Sequence, residues 1–201
     1  MALLNIIETQ VETTEIVTTD YSDAVNISGC SVYSVQAVVD VDTPGVETCP
    51  EADVDVAGSS FEVVGHGYTT GLKVGIASDG TLPAPLTATD FFVIVVDADN
   101  FQLATNLANA LAGTEVTLSD NGSAASTTTF TPASIAGANV KLQKSNDGSN
   151  WSDVASATNI TADAAIWLEA IDPSAKFIRI AYTLTAGRLS ATNYIVGKGP
   201  R

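Results

Sequence analysis

The sequence is poor in the residues that most chemistry needs: one histidine, two cysteines, one methionine and 6% aromatics in 201 positions. A lone His66 weighs against a Ser-His-Asp triad and removes every metal site built on two histidines. Set between Gly65 and Gly67, it reads as part of a tight turn. Cys30 and Cys49 are too few for a zinc site and lack C-x-x-C spacing. They read as buried thiols, with a disulfide between them as the alternative. No phosphate-cradling glycine motif occurs, so no cofactor is expected. Basic charge is equally scarce, with 8 Lys+Arg against 23 Asp+Glu and a net charge of −15. So acidic a chain is repelled by phosphate backbones, which argues against a nucleic-acid partner. No apolar run reaches the roughly 18 residues of a membrane span. The opening residues Met1 to Glu8 have neither a basic region nor a long apolar run, so no signal peptide is expected.

What is present is apolar and patterned. Hydrophobic residues make up 45% of the chain and charged residues 15%, which excludes an acidic disordered chain. Seven of the eight basic residues (Lys141, Lys144, Lys176, Arg179, Arg188, Lys198 and Arg201) fall in the last 61 positions, beside five acids, a net of +2. The chain from Met1 to Val140 therefore carries −17. Either two regions have different neighbours, or acidic loops simply keep a β-rich protein soluble.

Period-two alternation dominates. Ser31 to Val41 reads as a strand rich in β-branched residues. Asn139 to Lys144 alternates too, and the Asp147-Gly148 turn sends it back toward Trp151 and Val154. Lys176 to Leu184 and Ser190 to Gly197 repeat the pattern on either side of Ala186-Gly187. Short strands at regular spacing, with a turn signal after each, predict an antiparallel β-sandwich, of jelly-roll or carbohydrate-module type. Between Pro44-Gly45 and Pro132 the reading changes to a small β-rich module. It has a buried strand at Asp90 to Asp97, one short helix at Asn106 to Gly113, and a returning strand at Thr114 to Leu118. The expected organisation is an N-terminal arm over 1–20, a β-sandwich from 21–45 plus 132–201, and an inserted module over 46–131. The arm, free of Gly and Pro over residues 7–20, is expected to add to a neighbouring subunit's sheet, or else to be the first strand of its own. The strands flanking the insertion, Val32 to Val41 and Asn139 to Lys144, are expected to be neighbours in one sheet.

Three stretches carry a resemblance. They are Val64-Gly-His-Gly-Tyr-Thr-Thr-Gly-Leu-Lys-Val, Asp90-Phe-Phe-Val-Ile-Val-Val-Asp-Ala-Asp-Asn-Phe-Gln-Leu-Ala, and Asn106-Leu-Ala-Asn-Ala-Leu-Ala-Gly-Thr. Together they resemble a small β-module of structural proteins from tailed bacteriophages. The segment Val140-Lys-Leu-Gln-Lys-Ser-Asn-Asp-Gly-Ser-Asn-Trp-Ser-Asp-Val, with Phe177 to Thr183, is similar to the carbohydrate-module-like β-sandwich of such virion proteins. The resemblance implies a non-enzymatic virion component, first a capsid decoration or auxiliary protein on the outer surface. Its partners would be other capsid or neck and tail subunits and further copies of itself. A neck, tail or fibre-anchoring protein, and a host-glycan-binding module, are the alternatives.

Candidate site residues are few. The acid pairs Asp40/Asp42, Asp53/Asp55 and Asp97/Asp99 read as solvated loop carboxylates, with Ca²⁺ binding the alternative, and no metal site is assigned. Nothing selects a glycosidase pair from so many acids, so no catalytic residue is assigned. Trp167, apolar on both sides, is expected in the core. Trp151, beside the Asp147-Gly148 turn, is the one candidate glycan contact.

Overall fold

Strand residues fill most of the chain because β-branched and aromatic side chains favour a pleated, half-buried surface. The computed structural model describes residues 6–28, 30, 32–41, 43–154, 156–168 and 175–198. In chain order the strands begin with β1 (Ile6–Ile16), β2 (Asp20–Tyr21), β3 (Val25–Asn26) and β4 (Val32–Asp40). There follow β5 (Glu47–Pro50), β6 (Val54–Asp55), β7 (Ser60–Glu62), β8 (Lys73–Ser78), β9 (Asp90–Val95) and β10 (Asn100–Ala104). After helix α1 (Leu107–Leu111) come β11 (Thr127–Pro132), β12 (Asn139–Ser145), β13 (Ser152–Asp153) and β14 (Thr158–Asn159). The last three are β15 (Ala164–Trp167), β16 (Phe177–Thr183) and β17 (Leu189–Lys198). The chain parts into two units, one of Thr43–Ser134 and one of the residues on either side.

The outer unit is an antiparallel β-sandwich. One sheet runs β1-β17-β4-β15 and the other β13-β12-β16-β2, with β14 on β12 and β3 on β16. Alternation puts Val35, Ala37 and Val39 of β4 and Leu189, Ala191 and Ile195 of β17 inward. Val140 and Leu142 of β12 and Ile178, Ile180 and Tyr182 of β16 belong to the same core. Two polar groups meet inside it, the Tyr182 hydroxyl donating to Asn193 Oδ1, while Asn193 Nδ2 is buried without a hydrogen-bond partner.

One alternative is decided here and one expectation is corrected. Residues 6–16, set apart above within an arm over 1–20, pair antiparallel with β17 from Ile6↔Lys198 to Ile16↔Leu189. They are the first strand of the unit's own sheet, the second of the two alternatives stated for the arm. The strands flanking the insertion are not neighbours: β4 pairs with β17 and β15, whereas β12 pairs with β16, β13 and β14. The pairing of sequential strands gives way because β17 offers β4 an unbroken register along its whole length, Ser190↔Asp40 to Lys198↔Val32.

The Thr43–Ser134 unit is one seven-stranded antiparallel sheet in the order β5-β11-β8-β9-β10-β7-β6. Its edge strands β5 and β6 are joined by a single 3-10 turn, Glu51–Asp53. So short a link spans no more than about 14 Å, and the sheet curls until its edges approach. Inside lie Phe61, Phe101 and Phe130, each fully buried. Helix α1 is capped as its sequence demands, the Asn106 side chain accepting from the Asn109 N–H at 2.9 Å. The strand expected at Thr114 to Leu118 does not form. β10 already has β9 on one side and β7 on the other, and this stretch takes one ladder-like bond, Val116 N–H to the Leu103 carbonyl at 2.7 Å.

Both thiols are free, and they lie in different units. Burial pushes the Cys49 thiol up to about 12, with nearby Asp53 adding to the effect; burial also raises Cys30, which is only half-buried. Thiolate is the reactive form. One equivalent of a maleimide or disulfide reagent is therefore expected to label the native protein, at Cys30, and two after denaturation. Fast native labelling of Cys49, read by peptide mass, would contradict the buried position.

Candidate functional site

The outer surface of the β13-β12-β16-β2 sheet holds the Trp151 cluster. Since Val140 and Leu142 face the core, Lys141 and Gln143 face out; on β16, Ile178 and Ile180 bury and Arg179 faces out. The Arg179 guanidinium lies between two rings, 3.8 Å from the Tyr21 centroid and 4.2 Å from that of Trp151. Its Nε–H donates to Gln143 Oε1 at 2.9 Å, and Gln143 Nε2 donates to Asp153 Oδ1 at 2.8 Å. Lys141 Nζ donates to the second Asp153 oxygen at 2.8 Å. The Lys141 ammonium, then the Gln143 amide, hold the Asp153 carboxyl below its usual range. Each cation–π contact contributes about 0.5–1 kcal/mol at an exposed site. The network fixes the Trp151 ring against the sheet.

Beside Trp151, a cleft of about 280 Å³ is lined by Lys144, Ser145, Asn146, Asp147, Asn150, Ser152 and Ala175. Asp147, at the turn with Gly148, is part of this lining. Asp147 Oδ1 accepts the Ser149 and Asn150 N–H groups and the Ser145 hydroxyl, at 2.8 to 2.9 Å, and Oδ2 accepts Asn150 Nδ2 at 2.7 Å. These donors, led by Asn150, hold the Asp147 carboxyl well below the ordinary carboxylate range. A depressed folded-state value means that stabilisation is present above the unfolded value of about 3.9 and is lost as pH falls through the lower folded one. Asp147→Ala should lower the melting temperature at neutral pH and still do so near pH 4. Variant and parent should converge only in stronger acid; melts that converge by pH 5 would contradict this account of the turn.

In the Thr43–Ser134 unit, a second cleft of about 330 Å³ is lined by Gly65, His66, Gly67, Tyr68, Val95, Asp97 and Ala98. Gly65 and Gly67 both have positive φ, 65° and 62°, a backbone region that favours glycine. His66 is buried; its Nδ1 accepts the Tyr68 N–H at 2.9 Å. The ring proton is therefore on Nε2, which meets the Asp97 carbonyl at 3.2 Å. Asp99 Oδ1 accepts the Gly65 N–H at 2.8 Å. Asp97 Oδ1 accepts the Asp99 N–H and Asn100 Nδ2 at 2.9 and 3.0 Å, and these bonds hold its carboxyl below the usual range. The imidazole and both carboxylates are thus engaged in holding two turns together.

Among the described residues, no three His, Cys, Asp or Glu side chains converge as a metal site would require. Of the acid pairs, Asp42 lies outside the described residues. Asp55 accepts the Ala57 N–H at 3.0 Å. Trp167 is corrected: it is 61% exposed. Leu168 is buried and Ile166 packs against the core, so strand alternation turns Trp167 outward. Its apolar neighbours gave no clue to which parity faces inward. Sequence reading also missed Tyr21 and Arg179, which no local motif links to Trp151.

No protein-family model matches the chain, and no curated protein matches it.

Proposed function

We propose that the chain is a non-enzymatic structural protein of a tailed-bacteriophage particle, working as a capsid decoration or auxiliary protein on its outer surface. The observation that carries this reading is how the motif residues are used. The Gly65-His66-Gly67 turn, Asp97, Asp99 and Asn100 satisfy one another and the module's backbone. A motif whose polar groups are spent in this way builds a scaffold. Charge supports the outer position. The Thr43–Ser134 unit has eleven acidic residues and one basic, Lys73, and such a surface is repelled by packaged DNA.

The test is peptide quantitation on gradient-purified particles of the phage encoding the chain. A decoration protein is expected in hundreds of copies, whereas roughly 5, 6 or 12 copies at one vertex would assign the neck or tail instead. Its absence from particles would refute the virion reading.

A second reading, host-glycan binding, is favoured by the amide- and hydroxyl-lined cleft beside Trp151. It predicts glycan-array binding that Trp151→Ala abolishes; no binding by the parent chain would remove it.

A further inference from the structure

We propose that the sugar taken beside Trp151 is an acidic one, its carboxylate held by the open edge of the Arg179 guanidinium. The inference rests on the glycan-binding reading above and names the class of glycan.

Arg179 is fixed on three sides and open on the fourth. The Tyr21 and Trp151 rings lie against its guanidinium, with centroids at 3.8 and 4.2 Å, and its Nε–H is spent on Gln143 Oε1. What is left is the edge that carries the Nη N–H groups. Among the described residues, neither a hydrogen bond nor an ion pair reaches either Nη. These atoms are not sealed from solvent, since the only buried side-chain nitrogen without a partner among the described residues is Asn193 Nδ2. The acid of this network is already committed. Asp153 gives one oxygen to Gln143 and the other to Lys141, so the charge of Lys141 is balanced and that of Arg179 is not.

Such a guanidinium is a receptor for a planar, two-oxygen anion. Its N–H groups match a carboxylate in two parallel bonds, charge-assisted and roughly twice as strong as neutral ones. The rings and Gln143 already hold it in place, so little side-chain freedom is lost when the anion arrives.

The cleft decides which part of the ligand goes where. Gln143 pairs with Asp153, and on the next row Lys144 pairs with Ser152; Lys144 and Ser152 line the cleft. Rows are about 3.4 Å apart along a strand, so one ligand can reach both the cleft and Arg179. Asp147 in the cleft lining is held ionised by its donors, and its charge repels a second anion there. Asn146, Asn150 and Ser152 offer amide and hydroxyl groups of the kind that bond sugar hydroxyls. The neutral part of the ligand therefore belongs in the cleft and the carboxylate at Arg179. A uronic or sialic acid carries both on one ring.

An array of neutral, uronate and sialylated glycans, followed by titration of those that bind, tests the proposal. Titration is read by Trp151 fluorescence in a Trp167→Phe chain, where Trp151 is the sole tryptophan. The parent chain is expected to bind glycans that carry a carboxylate, and methyl-esterifying that carboxylate should cost at least about tenfold in affinity. Arg179→Gln should lose the same factor for the acid, and should bind the ester as the parent does, while keeping a cooperative β-rich melt. Arg179→Lys keeps the charge without the fork and should recover only part of the loss. Neutral glycans bound as tightly as acidic ones, or acidic binding that Arg179→Gln leaves intact, would overturn the acidic class while the glycan reading stands. No glycan bound at all would remove that reading and this inference together. Poly-L-glutamate bound through Arg179, with no acidic glycan bound, would assign the guanidinium to a protein carboxylate and equally overturn the proposal.

Discussion

Replacing Phe101 by alanine is expected to cost the Thr43–Ser134 unit about 3–5 kcal/mol and leave the sandwich standing. Phe101 is fully buried at the crossing of four rings. Phe130, His66 and Tyr68 meet it edge-on at 4.9, 5.1 and 5.3 Å, and Phe61 stacks at 5.7 Å. Such pairs add about 0.5–1.5 kcal/mol each beyond area burial. Against a total of about 5–15 kcal/mol for a domain, the loss is enough to unfold the unit or leave it marginal. Both tryptophans, Trp151 and Trp167, lie in the other unit, so their fluorescence reports the sandwich alone. Denaturation followed by tryptophan should keep its midpoint in Phe101→Ala, while amides of β8, β9 and β10 exchange far faster. A tryptophan transition that falls in step would mean the two cores unfold as one.

Removing the Thr43–Ser134 unit outright should have the largest effect on mass and a small one on the sandwich. The remaining residues carry their own core, from Ile16 and Val35 to Ile195. The cut ends lie just past β4 and just before β12, which belong to opposite sheets. Packed sheets stand about 10 Å apart, so a short Gly-Ser linker can span the gap. Extra loop length costs little entropy, so the same strands close in either case. The truncated chain is expected to be soluble, β-rich by far-UV circular dichroism, and to melt cooperatively. Aggregation or a melt without a transition would show that the sandwich core needs the excised residues.

The fold class was legible because alternation is a local signal. Val140 and Leu142 against Lys141 and Gln143, or Ile178 and Ile180 against Arg179, declare strands and faces within a few residues. Pairing was not legible. That β4 lies beside β17 and away from β12 is settled by a register that joins Asp40 to Ser190 and Val32 to Lys198, a separation no local window contains. Trp167 failed for a related reason, because in the apolar run Ala165-Ile166-Trp167-Leu168 both parities look alike. At the candidate site, Trp151 and the Asp147 turn are close in sequence and could be singled out. Tyr21 and Arg179 come to the cluster from β2 and β16, so only the folded sheet assembles it. The motif around His66 was visible as a pattern, but its use was not. Only the partners of Nδ1 and Nε2 reveal a turn clasp.

The proposed function is tested most directly by a reconstruction of intact particles of the tailed phage that, on this proposal, encodes the chain. The account predicts density for both β-rich units outside the capsid shell, repeated over its surface, with no copy facing the packaged DNA. Particles whose resolved density contains neither unit, or contains them only on the inner surface of the shell, would contradict it.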